Sequence, residues 1–223
     1  MHRIEVDAEV SLLEENRRFA GENREFLAKH GVVAFNLMGA TGSGKTMLIE
    51  KTADALGDKL KIGAILGDVA GDDDYRRVTK HGVKAKMVNT GKECHLDAHF
   101  IHHAIEEFGD VDVLFMENVG NLVCPVDFDL GEDYRVVIVS VTEGDDVVRK
   151  HPEIFRLADA IIINKISLAS AVGCDVETMV RDARRLNARA PVIKMDLRDG
   201  KGFDEWLEWF MDAYERAKKN KAR

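Results

Sequence analysis

The order of patterns along the chain predicts an α/β fold, a mainly parallel sheet with helices on both faces. Three observations carry this. Short β-branched or apolar runs recur from residue 32 onward, helical stretches separate most of them, and several runs are apolar at consecutive positions. Strands buried on both faces read this way, and alternation of strand with helix makes the sheet parallel. A chain of 223 residues fits one such domain.

The elements follow in order. Residues 8–30 read as a charged amphipathic helix, with Val10, Leu13, Arg17, Ala20, Phe26 and Leu27 marking a broken apolar stripe and Gly31 placed as a C-cap. Residues 1–30 are therefore set apart as an N-terminal amphipathic helix ahead of a domain at 31–223. Strand runs fall at 32–38, 61–66, 84–88, 111–117, 135–141, 159–164 and 191–195, and the clearest helical stretches at 44–56, 72–81, 96–108, 175–186 and 203–217. The basic tail at 218–223 reads as a frayed helix end. Ligands of such sheets sit at the carboxyl ends of the strands, so functional motifs should follow strands directly.

Composition removes several classes. No window holds the ~18 apolar residues of a membrane helix, and the charged start lacks the apolar core of a signal peptide. A net charge of −8 argues against broad nucleic-acid binding. Three cysteines, an odd count, do not make a disulfide framework. A cytoplasmic, reducing setting is expected, with the thiols as core residues, nucleophiles or metal ligands.

The first strand run leads into GATGSGKT at 39–46. This is G-x-x-x-x-G-K-T, the phosphate-binding loop of P-loop NTPases. Gly39, Gly42 and Gly44 permit the tight turn in which the loop, with Ala40, Thr41 and Ser43, aims backbone N–H groups at phosphate oxygens. The helix that follows adds the positive end of its dipole. Lys45 can reach the β- and γ-phosphates and Thr46 can ligate Mg²⁺.

Other candidate groups also follow strands. Asp68 follows the second run, with Asp72, Asp73 and Asp74 close behind, and Glu117 ends the fourth. Asp68 and Glu117 suit the Mg²⁺ shell beside Thr46, and the expected catalytic set is Lys45, Asp68, Asp74 and Glu117. The acidic run at 72–74 would equally suit a helix N-terminus. Glu117-x-x-Gly120 resembles the D-x-x-G of GTPases, which places the Gly120 N–H to sense a γ-phosphate. Asn164-Lys165-x-Ser167 resembles their guanine-reading N-K-x-D, with serine where the aspartate stands. A hydroxyl cannot make that bidentate, charge-assisted contact. Asp196, after the last strand run, is a candidate to supply a carboxylate instead.

A second metal is indicated by GKECHLDAHFIHH, which holds Cys94 and four of the chain's eight histidines. On a continuous helix His95, His99 and His103 form one stripe, but His95 and His103 lie ~12 Å apart along the axis. That spacing suits two ions or a bridge between chains. Cys124 follows the Glu117 strand and can lie on the same side of the sheet. Cysteine with histidine suits Ni²⁺ or Zn²⁺. Cys174 has no such neighbours and reads as a small buried hydrophobe.

GATGSGKT, GKECHLDAH, ENVGNLVCP, TEGDD and KHP, in this order, resemble the nickel-incorporation GTPases of hydrogenase maturation, over most of the chain from about residue 32. ENVGNLVCP with GKECH favours that family over the sister urease accessory GTPases. The resemblance implies a GTPase that uses GTP and Mg²⁺ and forms a homodimer when GTP binds. It implies a Ni²⁺ or Zn²⁺ site shared between subunits and built from the matched cysteines and histidines. It also implies nickel delivery to the hydrogenase large subunit with a second nickel accessory protein; from charge and hydropathy, neither nucleic acid nor membrane is expected as a partner. The N-terminal stretch has no cysteine cluster or histidine-rich segment, so metal storage is not expected there. Competing readings are a metal-storage module with a weak nucleotide site and a small-molecule kinase. The kinase would need an acceptor site or lid, and no long Arg-rich insertion is present.

Overall fold

The computed structural model describes residues 2–68, 71–91 and 93–222, with side chains from residue 11 onward except at 68. Its elements are α1 (His2–His30), β1 (Val33–Met38), α2 (Lys45–Leu56), β2 (Ile62–Asp68), α3 (Asp73–Thr79), β3 (Lys84–Asn89), α4 (Ala98–Ile105), β4 (Val113–Glu117), β5 (Tyr134–Ser140), α5 (Val147–Lys150), α6 (Pro152–Arg156), β6 (Ala160–Asn164), α7 (Ala169–Val172), α8 (Val176–Leu186), β7 (Val192–Lys194) and α9 (Phe203–Lys221). The seven strands pair in parallel in the order β3-β2-β4-β1-β5-β6-β7. All seven strand runs of the sequence become strands of this sheet.

Alternation along a strand sends successive side chains to opposite faces, and β1 shows the result. Val33, Phe35 and Leu37 join Trp206 and Phe210 of α9 in one core, while Ala34 joins Leu27 of α1 and Ile101 and Ile105 of α4 in another. Phe35 stacks on Phe210 with ring centroids 4.7 Å apart. Helices therefore cover both faces, and the strands' carboxyl ends are left to the loops.

The structure differs from the sequence reading at several boundaries. α1 begins at His2, ahead of residue 8. Its buried face is not a purely apolar stripe, because Asn16 and Asn23 are buried alongside Ala20 and Leu27. Asn16 Oδ1 accepts from Ala98 N at 2.8 Å, and Asn23 Nδ2 donates to Ala98 O at 2.9 Å and Leu130 O at 3.0 Å. Satisfied amides substitute for apolar contacts there, which is why the stripe looks broken. α4 begins at Ala98, two residues late, because Asp97 caps it by accepting from Phe100 N at 2.9 Å. The basic tail is helical to Lys221. Lys218 Nζ donates to Gly31 O at 2.9 Å, and Lys221 Nζ donates to Val32 O at 2.7 Å and pairs with Asp133 at 2.8 Å. α5, α6 and α7 are too short to show a helical period in sequence. Among the described residues no helix is long and apolar enough to cross a membrane.

Candidate functional site

Three strand ends build one cleft of about 770 Å³. β1 runs into the loop 39–46, β4 ends on Glu117 and β6 on Asn164. The loop's close approaches fix its glycines. Gly44 has φ +114°, and a Cβ there would lie 2.3 Å from Asn164 Nδ2. A Cβ on Gly120 would lie 2.0 Å from Thr41 Oγ1, so the β4 loop rests directly on the phosphate loop. Gly39, at φ +155°, forms an isolated bridge with Asn121 of the same β4 loop. Ala40, Thr41, Gly42 and Ser43 complete the turn, and α2 starts at Lys45 with its N-terminus toward the cleft. Lys45 is buried and donates to Gly39 O at 3.1 Å and Ala40 O at 3.2 Å.

At the phosphate end, Thr46 Oγ1 donates to Glu117 Oε1 at 2.8 Å. Glu117 is buried, and that burial pushes its carboxyl up to about 7 against the opposing pull of Lys45 and the Thr46 hydroxyl. Among the described residues two buried side-chain polar atoms have no hydrogen-bond partner, Glu117 Oε2 and Ser43 Oγ. One lies in the loop and the other at its floor. Asp74 borders the cleft and accepts from Arg77 Nη1 at 2.9 Å. Asp72 instead pairs with Arg76 at 2.7 Å on the exposed side of α3. Asp68 ends β2, and its side chain lies outside the described residues. Arg77 was not legible as a site residue. Its Nε and Nη2 donate to Glu50 at 2.8 and 3.1 Å, tying α3 to α2 beside the cleft. No local spacing marks it, because its partner Glu50 lies 27 positions away in the chain.

At the other end, Asn164 Nδ2 donates to Ser43 O at 2.8 Å while its Oδ1 accepts from Lys165 N at 2.8 Å and Leu197 N at 3.2 Å. Lys165 has φ +61°, the left-handed conformation that non-glycine residues adopt at a cost. Ser167 donates both N–H, at 3.2 Å, and Oγ–H to Asp196 Oδ2. Asp196 Oδ1 accepts from Arg198 N at 3.1 Å and Asp199 N at 3.4 Å. Burial works to raise the Asp196 carboxyl, but these hydrogen bonds, led by Ser167, outweigh it and hold the group below the usual range.

A second cluster lies one loop away. Cys94 Sγ is 2.7 Å from Cys124 Sγ and 3.9 Å from His95 Nδ1. These three residues present ligand atoms all within 4.8 Å of one another. His95 is buried against Phe128 at a ring-centroid distance of 3.8 Å, and its burial lowers its proton affinity, which leaves the neutral imidazole a metal requires. The continuous histidine stripe is corrected here, because His95 precedes Asp97 and is not on α4. His99 and His103 form a separate pair with Nε2 atoms 2.9 Å apart, His99 lying against Phe19 of α1.

A model of the CobW/HypB/UreG nucleotide-binding domain matches residues 33–194. The chain belongs to this family. It is 52% identical over 221 residues to a probable hydrogenase maturation factor HypB of Methanocaldococcus jannaschii, covering 98% of this chain and 100% of that one. Its fold matches the crystal structure of HypB from Archaeoglobus fulgidus with TM-score 0.87 and 61% identity, covering 90% of this chain and 99% of the other. It also matches that of HypB from Helicobacter pylori in complex with nickel, with TM-score 0.85 and 35% identity, covering 91% and 96%. The match identifies residues 33–194 as a nucleotide-binding domain, and the cleft's phosphate-loop, β4 and β6 residues lie within that span.

Proposed function

We propose that this chain is a GTP-hydrolysing metallochaperone that carries nickel toward [NiFe] hydrogenase, and that GTP binding joins two copies to complete a shared Cys/His metal site. The observation that carries the reading is the segment 117–124, which belongs to both sites at once. Glu117 lies at the phosphate end of the cleft, and Gly120 rests on Thr41. Asn118 Oδ1 accepts from Leu96 N at 2.9 Å, and Asn121 Nδ2 donates to Cys94 O at 3.3 Å. Cys124 closes the segment as a ligand. A γ-phosphate that moves the Gly120 backbone therefore moves a thiol.

In this reading Lys45 and the loop N–H groups hold the β- and γ-phosphates, and Gly120 N–H senses the γ-phosphate. The partnerless Glu117 Oε2, next to the Thr46 hydroxyl, fits a divalent cation, with Asp74 and Asp68 as further carboxylates. Bound Mg²⁺ would neutralise charge on the β- and γ-phosphate oxygens during attack by water. Burial favours the neutral form of Glu117, and a bound cation would favour the ionised one. Nickel is cargo. Cys94, His95 and Cys124 offer it three donors, and a second subunit supplies the rest; His99 and His103 stand as a secondary pair. The implied partners are a second nickel accessory protein and the hydrogenase large subunit, in the cytoplasm.

Titration with Ni²⁺ or Zn²⁺ combined with mass determination, with GDP and with a non-hydrolysable GTP analogue, tests this. The triphosphate state should be dimeric and bind metal more tightly. Equal affinity and equal mass in the two states would refute the coupling.

A further inference from the structure

The base end of the cleft departs from the N-K-x-D pattern at Ser167, and what replaces the aspartate is a pair. We infer that Ser167, with its proton committed to Asp196, reads the N1–H of the base as a single acceptor and so selects 6-oxopurines (guanine or hypoxanthine) over adenine. The inference rests on the nucleotide site proposed above and specifies which bases that site admits.

The argument is one of hydrogen-bond capacity. A carboxylate has about four lone-pair positions. Asp196 uses both oxygens on four donors: the N–H and Oγ–H of Ser167 on Oδ2, and the N–H groups of Arg198 and Asp199 on Oδ1. It borders the cleft with little exposed surface, and those four donors already take its lone pairs, so it has none left to grip a base edge itself. A carboxylate with no proton of its own also fixes the direction of the contact, and the Ser167 hydroxyl must be the donor. The hydroxyl then keeps only lone pairs for other partners. Ser167 is exposed on the cleft wall, next to Lys165, whose left-handed turn begins this wall.

A 6-oxopurine carries N1–H and satisfies that lone pair. Adenine presents a bare N1, which meets lone pair with lone pair. The negative charge of Asp196 reaches the base through the hydroxyl and strengthens it as an acceptor. One oxygen cannot also take the 2-amino group of guanine, whereas a free aspartate in this place would take both. The pair therefore distinguishes donor from acceptor at N1 and is indifferent to the 2-amino group.

Binding of GDP, IDP and ADP to the full chain, by displacement of a fluorescent nucleotide, tests this for the native protein, Ser167→Ala and Asp196→Asn. The native chain should bind GDP and IDP within about threefold of each other and ADP at least about tenfold more weakly, the span of one hydrogen bond to a charge-linked group. Ser167→Ala should weaken GDP and IDP together by about tenfold and leave ADP binding no weaker, since it removes the lone pair that opposes adenine N1. Asp196→Asn frees the hydroxyl proton and should narrow the GDP/ADP ratio. Should that variant fail to fold, the exposed Ser167→Ala still decides the matter. Two results overturn the inference alone: an unchanged GDP/ADP ratio in Ser167→Ala, or native selection of GDP over IDP by more than tenfold. A native chain that binds no GDP, or prefers ADP, overturns the guanine-nucleotide reading with it.

Discussion

The nucleotide cleft and the thiol–imidazole cluster share the loop after β4, yet they are built in opposite ways. In the cleft, each group is held by regular structure. Lys45 and Thr46 open a twelve-residue helix, Glu117 and Asn164 end strands paired on both sides, and their polar atoms are mostly engaged within the protein. In the cluster, Cys94 is exposed and lies in irregular backbone, Cys124 lies at the start of a single 3₁₀ turn, and only His95 is buried. A site on strand and helix ends is preorganised. A site on loops is assembled by whatever moves the loops, and here those loops hang from Asn118 and Asn121. The contrast suits a rigid sensor attached to an adjustable grip.

The sharpest way to break the contrast is to damage one site and measure the other. Lys45→Ala should lower nucleotide affinity by at least about a hundredfold, through loss of the phosphate-facing ammonium. Metal binding by the nucleotide-free chain should be untouched, as equilibrium dialysis would report. Conversely, Cys124→Ala should remove tight Ni²⁺ or Zn²⁺ binding by at least about tenfold while leaving GDP affinity unchanged, since a ligand lost from a three-donor set is not replaced. A Cys124→Ala chain that still binds either metal normally would remove the cluster from the site.

The rigid side predicts a pH signature. Burial raises the folded-state Glu117 carboxyl from 4.5 to about 7. The neutral group's contribution to the nucleotide-free fold is therefore full below about pH 4.5 and is lost as pH rises to about 7, a change on the order of 3 kcal/mol. Thermal unfolding at pH 5 and pH 7.5 with a chelator present should show Glu117→Gln losing less stability over that interval than the native chain. The smallest effect belongs to the separate histidine pair. His99→Ala should leave the stoichiometry of tight metal binding unchanged, and a lost equivalent would place α4 in the primary site.

Much of this was legible before any coordinates. Residues 136–139 and 160–163 carry unbroken apolar stretches, and GATGSGKT shows the phosphate-binding loop by its own spacing. Long-range polar contacts leave no such trace. Asn16 and Asn23 read as gaps in a stripe because an amide's burial depends on partners as distant in the chain as Ala98 and Leu130. Arg77 reads as one more surface charge until Glu50 and Asp74 are seen to hold it. His95 continues a helical stripe on paper, and only the Asp97 cap shows that the helix has not begun.

The sequence by itself determined the parallel sheet, the phosphate loop and the residue types able to hold a transition metal, because these depend on periodicity and short spacing. The tertiary structure decided that Cys94, His95 and Cys124 meet while His99 and His103 stand apart, and that Asp196 is committed to Ser167. Those relations join residues 29 or 30 positions apart, and only the parallel crossovers bring such positions within hydrogen-bonding reach.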